Sequence, residues 1–219
     1  AILDVGGRRG LLGAYTSHHV VAVNPDGTGD LINGSMLPFA DNAFEAVVTL
    51  DTLEHMPQNA RLDFLAECLR VADNLLLVAA PLGSPGHIRR EAVLNERFHA
   101  ANGYYHQYLN EHVQFGLPTL EEVETFRRSL PNAGTALYFA GSFVWQTDAF
   151  ERSLTTAKLP RLLSLPLNLT QRLMASALFH SVDLRTQGDE TANRFYLVLY
   201  KQQRQSAAIR PTALTSEPP

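Results

Sequence analysis

Short apolar runs recur along the chain at residues 2–5 (ILDV), 19–23 (HVVAV), 44–50 (FEAVVTL), 74–80 (NLLLVAA), 135–141 (TALYFAG) and 194–201 (RFYLVLYK). Each is bounded by turn residues, the pattern of strands covered on both faces. Between the third and fourth lies PQNARLDFLAECLRVAD, where Leu62, Leu65, Ala66 and Leu69 recur at helical spacing and Pro57 stands where a helix begins. Strand, helix, strand implies a parallel pair joined by a right-handed crossover. The expected class is α/β, with a doubly wound sheet. TLEEVETFRRSL predicts another helix, and the leucine-rich 149–182 reads as helical.

After Pro81 the pattern loosens into a Gly-, His- and Tyr-rich stretch, 83–118, a candidate lid; 142–192 forms a second insertion. Residues 1–201 read as one domain and 202–219 as a disordered tail. Within 159–181, which Pro160 and Pro166 interrupt, a buried helical lobe or a partner- or lipid-facing surface is expected. The chain starts immediately before its first strand, so a truncated chain or a fragment of a longer protein is expected.

Composition narrows the partners. A formal charge of -4 with mixed signs supplies no broad basic field for nucleic acid and no basic membrane-surface helix. Cys68 is the single cysteine, so an intrachain disulfide and a cysteine-based zinc site are excluded and a cytoplasmic, reducing compartment is expected. No apolar run reaches the roughly 18 residues of a membrane span. Small-molecule chemistry is the class these features favour.

The first strand runs into VGGRRGLLG, where Gly6, Gly7, Gly10 and Gly13 let the backbone turn tightly into a helix and make a nucleotide-type pocket. No register yields GxGxxG. The short-chain dehydrogenase form GxxxGxG also fails, because Leu12 stands where its last glycine belongs and Gly13 comes one residue late. A nicotinamide oxidoreductase is thereby disfavoured.

LDVGGRRG resembles the first motif of class I S-adenosylmethionine-dependent methyltransferases, hydrophobic-D/E-x-G-x-G-x-G: Asp4, Gly6 and Gly10 match and Arg8 replaces the middle glycine. MLPFADNAFEAVVTLDTLEHMP, residues 36–57, resembles the LPF-x-D-x-x-F-D-x-V…LEH-x-P signature of the type 11, ubiquinone-biosynthesis-like branch. Leu37, Pro38, Phe39, Asp41, Phe44, Val47, Leu53, Glu54, His55 and Pro57 fall in register, with Glu45 replacing an aspartate. The resemblance covers residues 1–82. It implies a Rossmann-like sheet of seven strands with the last antiparallel, S-adenosyl-L-methionine as cofactor, and methyl transfer to a small molecule by in-line displacement, which needs positioning and exclusion of water.

For the cofactor the resemblance implies contacts from Asp4, Gly6, Gly7, Arg8, Gly10, Asn24, Ser35, Met36, Leu37 and Leu50, with Ser35 set to meet the adenine amine. Asp51 and His55, just past the strand FEAVVTL, are the catalytic candidates. Leu37 and Phe39 suit core packing and an adenine wall equally. His55 suits a base or substrate contact and equally a residue holding the start of a helix.

Three features depart from the pattern. Asn24 stands where the family has an acidic residue for the ribose; a neutral hydrogen bond contributes about 1 kcal/mol against about 1.5–3 for a charged one, so affinity should fall several-fold to tenfold. Asp26 is a substitute or a plain turn residue in NPDG. Arg8 costs about 1–2 kcal/mol if the middle glycine has positive φ. Its charge also opposes the sulfonium unless it turns to solvent or pairs with the cofactor's carboxylate. Finally, NPDGTGDLINGSM leaves no room for a helix between the second strand and a short third strand near DLIN. These departures motivate a second reading, a methyltransferase-like binding or assembly module without catalysis.

His87, His99, His106 and His112 accompany Tyr104, Tyr105 and Tyr108 in the insertion. Their spacing matches no zinc pattern, so no metal is expected and aromatic pocket lining or packing is. YLNEHVQFGLP is similar to stretches in bacterial methyltransferases of surface-glycan assembly, which adds a glycan or lipid-linked precursor to the acceptor candidates.

Overall fold

The computed structural model describes residues 1–24, 36–130, 133–156 and 183–201. Its strands are β1 (Ile2–Val5), β2 (Val20–Val23), β3 (Phe44–Leu50), β4 (Ala72–Pro81), β5 (Ala133–Ala140) and β6 (Arg194–Lys201). They form one sheet in the order β2-β1-β3-β4-β6-β5. The first four run parallel, and β6 lies antiparallel between β4 and β5. Every apolar run read as a strand is one. The expected third strand near DLIN, its helix-free connection, most of 149–182 and the tail 202–219 lie outside the described residues, so six strands are described where seven were expected.

Leu3, Val5, Val47, Leu76, Val78, Leu197 and Leu199 are all but completely buried, as a sheet covered on both faces requires. The helix α1 (Gln58–Val71) crosses from β3 to β4 and buries Leu65, Cys68 and Leu69 against them. Each such leucine contributes about 1.5–3 kcal/mol by leaving water. A later helix (Leu120–Ser129) starts at Thr119, whose hydroxyl accepts from Glu122 N at 3.2 Å, and carries Glu121 and Glu122 in its first turn and Arg127 and Arg128 in its last. That charge order suits the helix dipole.

Two stretches differ from expectation. The glycine turn does not lead into an α-helix: residues 6–19 hold only a single 3-10 turn, Leu12–Tyr15, with no buried side chain. Gly10 has φ +80°, which interrupts right-handed helical backbone, and the connection is too short and too glycine-rich to rebuild it. The stretch 83–118 is not loose. It forms α2 (Pro85–Asn102) and α3 (Gln107–Phe115), so the helix at Leu120–Ser129 is α4 and the one at Phe143–Thr156 is α5.

Capping explains α2. Ser84 accepts from His87 N at 3.2 Å, Pro85 sits in the first turn, and Gly103 closes the helix at φ +83°. Its buried face is His87, Glu91, Leu94 and Asn95, a helical spacing made mostly of polar residues. Hydrophobic periodicity cannot register such a face. Against it packs α5, with Phe143 stacked on His87 at 4.8 Å and Thr147 accepting from Arg90 Nε at 2.7 Å. No described helix is long and apolar enough to cross a membrane.

Candidate functional site

Parallel strands bring the carboxyl ends of β1 and β3 to one edge of the sheet, where ligands of open α/β sheets bind. Asp4, next to last in β1, pairs in register with Ala22 and Val48 and is 4% exposed. Burial pushes its carboxyl up to about 6. The chain then reverses: Gly6 takes φ +86°, its N–H donates to Val23 O at 2.8 Å, and Asn24 Nδ2 donates to Gly6 O at 2.7 Å. A side chain at Gly6 would stand 2.4 Å from Thr52 Oγ1, and one at Gly7 would stand 1.9 Å from Asp4 Oδ2. Only glycine lets the turn close on both neighbours. Above Gly10 the space is open.

Arg8 corrects one expectation. Among the described non-glycine residues only Asn42 and Asp51 have positive φ, so the arginine at the middle-glycine position carries no left-handed strain. Its side chain crosses to α3, where Nη2 donates to Tyr108 Oη at 3.3 Å.

Leu50, partly buried, ends β3, and Asp51 follows at φ +51° with its N–H on Ala79 O at 2.9 Å and its carboxylate on the Arg194 guanidinium. Leu37 is 5% exposed and belongs to the core; its N–H donates to Glu67 Oε1 at 2.7 Å and its carbonyl accepts from Arg70 Nη2 at 3.2 Å. Arg70 also holds Asp41 at 2.6 Å. The LPFAD segment is thus fastened to α1. Phe39 packs edge-on against Phe44 at 4.9 Å, Met36 is 73% exposed, and Ser35 lies outside the described residues.

The LEH segment forms a 3-10 turn, Leu53–His55, beneath α3. Glu54 is buried, and neither of its carboxylate oxygens has a hydrogen-bond partner among the described residues. Burial first, and then Asp51, push its carboxyl up to about 8. His55 Nδ1 lies 2.7 Å from Glu111 Oε2, while burial and the nearby His112 lower the pKa of its imidazole. His112 Nδ1 lies 2.9 Å from Glu91 Oε2, and Glu91 Oε1 lies 3.3 Å from His87 Nε2. Glu91's carboxyl is held down at about 2: the hydrogen bonds and charges of His112 and His87 outweigh its burial.

Periodicity does not single out Arg61, which locks this arrangement. Fully buried, its guanidinium donates to Leu53 O at 2.9 Å, to Glu122 at 3.1 and 2.9 Å, and to the carbonyls of Phe115 and Gly116. One side chain thus ties α1, the LEH turn, the end of α3 and α4 together. Beside α3 lie two open clefts, one of about 640 Å³ between Pro57–Asn59 and Val113–Gly116, the other of about 780 Å³ lined by α2, Tyr105 and Val113. Neither is lined by the glycine turn.

Residues 3–74 match the family model described as a methyltransferase domain. No curated protein sequence matches the chain. Among solved structures, phosphoethanolamine N-methyltransferase 2 of Haemonchus contortus, in complex with S-adenosyl-L-methionine, is 14% identical, with a TM-score of 0.53 over 92% of this chain and 48% of that one. The chain thus spans about half the length of that enzyme. A methyltransferase of Thermotoga maritima is 11% identical, with a TM-score of 0.54 over 92% of this chain and 82% of that one. At such identities the likeness is one of fold. Residues 3–74 thus match a methyltransferase domain, and the described chain shares the fold of these S-adenosylmethionine-dependent methyltransferases.

Proposed function

We propose that the protein binds S-adenosyl-L-methionine at the glycine turn and transfers its methyl group to a small-molecule acceptor. The observation that carries this reading is the turn itself. Gly6 and Gly10 take positive φ, Gly7 abuts Asp4, and the buried Asp4 carboxylate receives no hydrogen bond from any described residue. A cradle without side chains beside an unpaired carboxylate suits the ammonium and backbone-like end of an amino-acid cofactor.

When bound, the cofactor supplies an electrophilic methyl group on a sulfonium. The chain's task is then to hold and orient, because in-line displacement needs little proton transfer. Asp4 accepts from the cofactor's methionine end, and Gly6, Gly7 and Gly10 allow its close approach. Arg8 pairs with its carboxylate, and Leu50 and Leu37 wall the pocket. Met36 and Ser35 attend the adenine. Asn24 supports the turn from below through Gly6. Asp51 and His55 face the acceptor, and α3 with Tyr108 covers the reacting groups and limits water.

The acceptor is a small molecule, with a glycan or lipid-linked precursor among the candidates that the YLNEHVQFGLP stretch of α3 suggests. The enzyme acts as a cytoplasmic protein in this reading. Calorimetric titration with S-adenosylmethionine and S-adenosylhomocysteine tests it, followed by label transfer from methyl-tritiated cofactor to an acceptor panel. Micromolar binding is expected. No heat at millimolar ligand on folded protein overturns the proposal, and binding without label transfer favours the non-catalytic module.

A further inference from the structure

The glycine turn accounts for Asp4 and Asn24, and Arg194 accounts for Asp51, but nothing yet accounts for Glu54. It is 1% exposed, with both carboxylate oxygens unpartnered among the described residues. Buried carboxylates are ordinarily paired or bound to a metal. Two imidazoles stand beside it: one ligand atom each from Glu54, His55 and His112 lie within 4.8 Å of one another, and the two histidine rings are 5.1 Å apart.

His112 Nδ1 is hydrogen-bonded to Glu91 Oε2 at 2.9 Å, while His55 Nδ1 lies 2.7 Å from Glu111 Oε2 as an ion-pair contact without hydrogen-bond geometry. Glu91 is itself steadied by His87, whose Nδ1 lies 2.8 Å from Leu82 O. On His112 the carboxylate at Nδ1 fixes the tautomer and leaves the lone pair of Nε2 for a cation, the outer arrangement common to protein metal sites.

We propose that Glu54, His55 and His112 bind one divalent transition-metal ion per chain. Two imidazoles and a carboxylate select the zinc or ferrous class over magnesium and calcium, which take oxygen ligands. Three protein ligands leave at least one coordination position open. The site shares His55 with the proposed acceptor side of the pocket, and its metal binding is read without methyl transfer. Sequence spacing hides it, because Glu54 and His55 are adjacent while His112 comes from a helix that packs onto their turn only in the folded chain.

The test uses the full chain, stripped with a chelator and titrated with Zn²⁺ by calorimetry and with Co²⁺ by visible absorption. One ion per chain is expected, with micromolar or tighter affinity, Co²⁺ ligand-field bands, and a melting temperature that rises with added metal. Glu54→Gln and His112→Ala should each weaken binding at least tenfold, and Glu91→Gln by tenfold to a hundredfold through loss of orientation. His99→Ala should leave binding unchanged. Circular dichroism checks each fold; if Glu54→Gln does not fold, His112→Ala decides. Absence of binding at 100-fold above micromolar Zn²⁺ on the folded wild type overturns the proposal, as does equal affinity in wild type, Glu54→Gln and His112→Ala.

Discussion

The side-chain amide of Asn24, at the end of β2, donates to the carbonyl of Gly6, at the end of β1, across 2.7 Å. An aspartate there cannot donate and would set two acceptors against each other. We therefore expect Asn24→Asp, although it restores the family's acidic residue, to lower stability by about 1–2 kcal/mol and to weaken S-adenosylmethionine binding. Thermal melting and calorimetry check this; a gain in affinity would show that the ribose contact outweighs the turn.

Asp4 should make stability depend on pH. Its folded carboxyl is raised to about 6 against about 3.9 in the unfolded chain. A raised carboxyl favours the protonated native state, so its contribution is full below about pH 4 and is lost as pH rises through 6. Asp4→Asn should melt close to the wild type at pH 4 and above it at pH 7.5, while losing cofactor binding. Melting curves at the two pH values that run parallel would refute this.

Glycines in the same turn should respond oppositely to alanine. A Cβ at Gly7 meets Asp4 Oδ2 at 1.9 Å, whereas one at Gly13 meets nothing within 4 Å and needs no positive φ. Gly7→Ala should abolish cofactor binding. Gly13→Ala should leave binding intact and stabilise by about 0.4–1 kcal/mol through the unfolded state.

Arg8 makes one exposed hydrogen bond, to Tyr108. Surface changes of this kind stay within about 0.5 kcal/mol of wild-type stability. If Arg8 pairs with the cofactor's carboxylate, Arg8→Ala should weaken S-adenosylhomocysteine binding about tenfold and leave methylthioadenosine, which lacks that carboxylate, unaffected. Equal losses for both ligands would place Arg8 elsewhere in the pocket.

Arg61 is expected to be the costliest single position outside the sheet. Removing it leaves Glu122 without its cation and Leu53, Phe115 and Gly116 carbonyls without a donor. Arg61→Met should lose about 3–5 kcal/mol in denaturant titration, with α3 protected less from hydrogen exchange than α1.

The sequence by itself determined the sheet. All six described strands were legible because apolar runs bounded by turn residues have one economical destination, a sheet covered on both faces. It also determined the glycine turn and the LPF and LEH segments, since both are local in the chain and match the methyltransferase domain over residues 3–74. Tertiary structure alone decided the rest. Helix α2 escaped periodicity because its buried face carries His87, Glu91 and Asn95, polar groups that are tolerated inside only because one another, α3 and neighbouring loops satisfy them. The helix expected to follow the glycine turn is absent because Gly10 turns left-handed and the short segment leaves Leu11 and Tyr15 exposed rather than packed. Arg61's role and the meeting of Glu54, His55 and His112 depend on residues up to about sixty positions apart, which only packing of α3 and α4 against the LEH turn brings together.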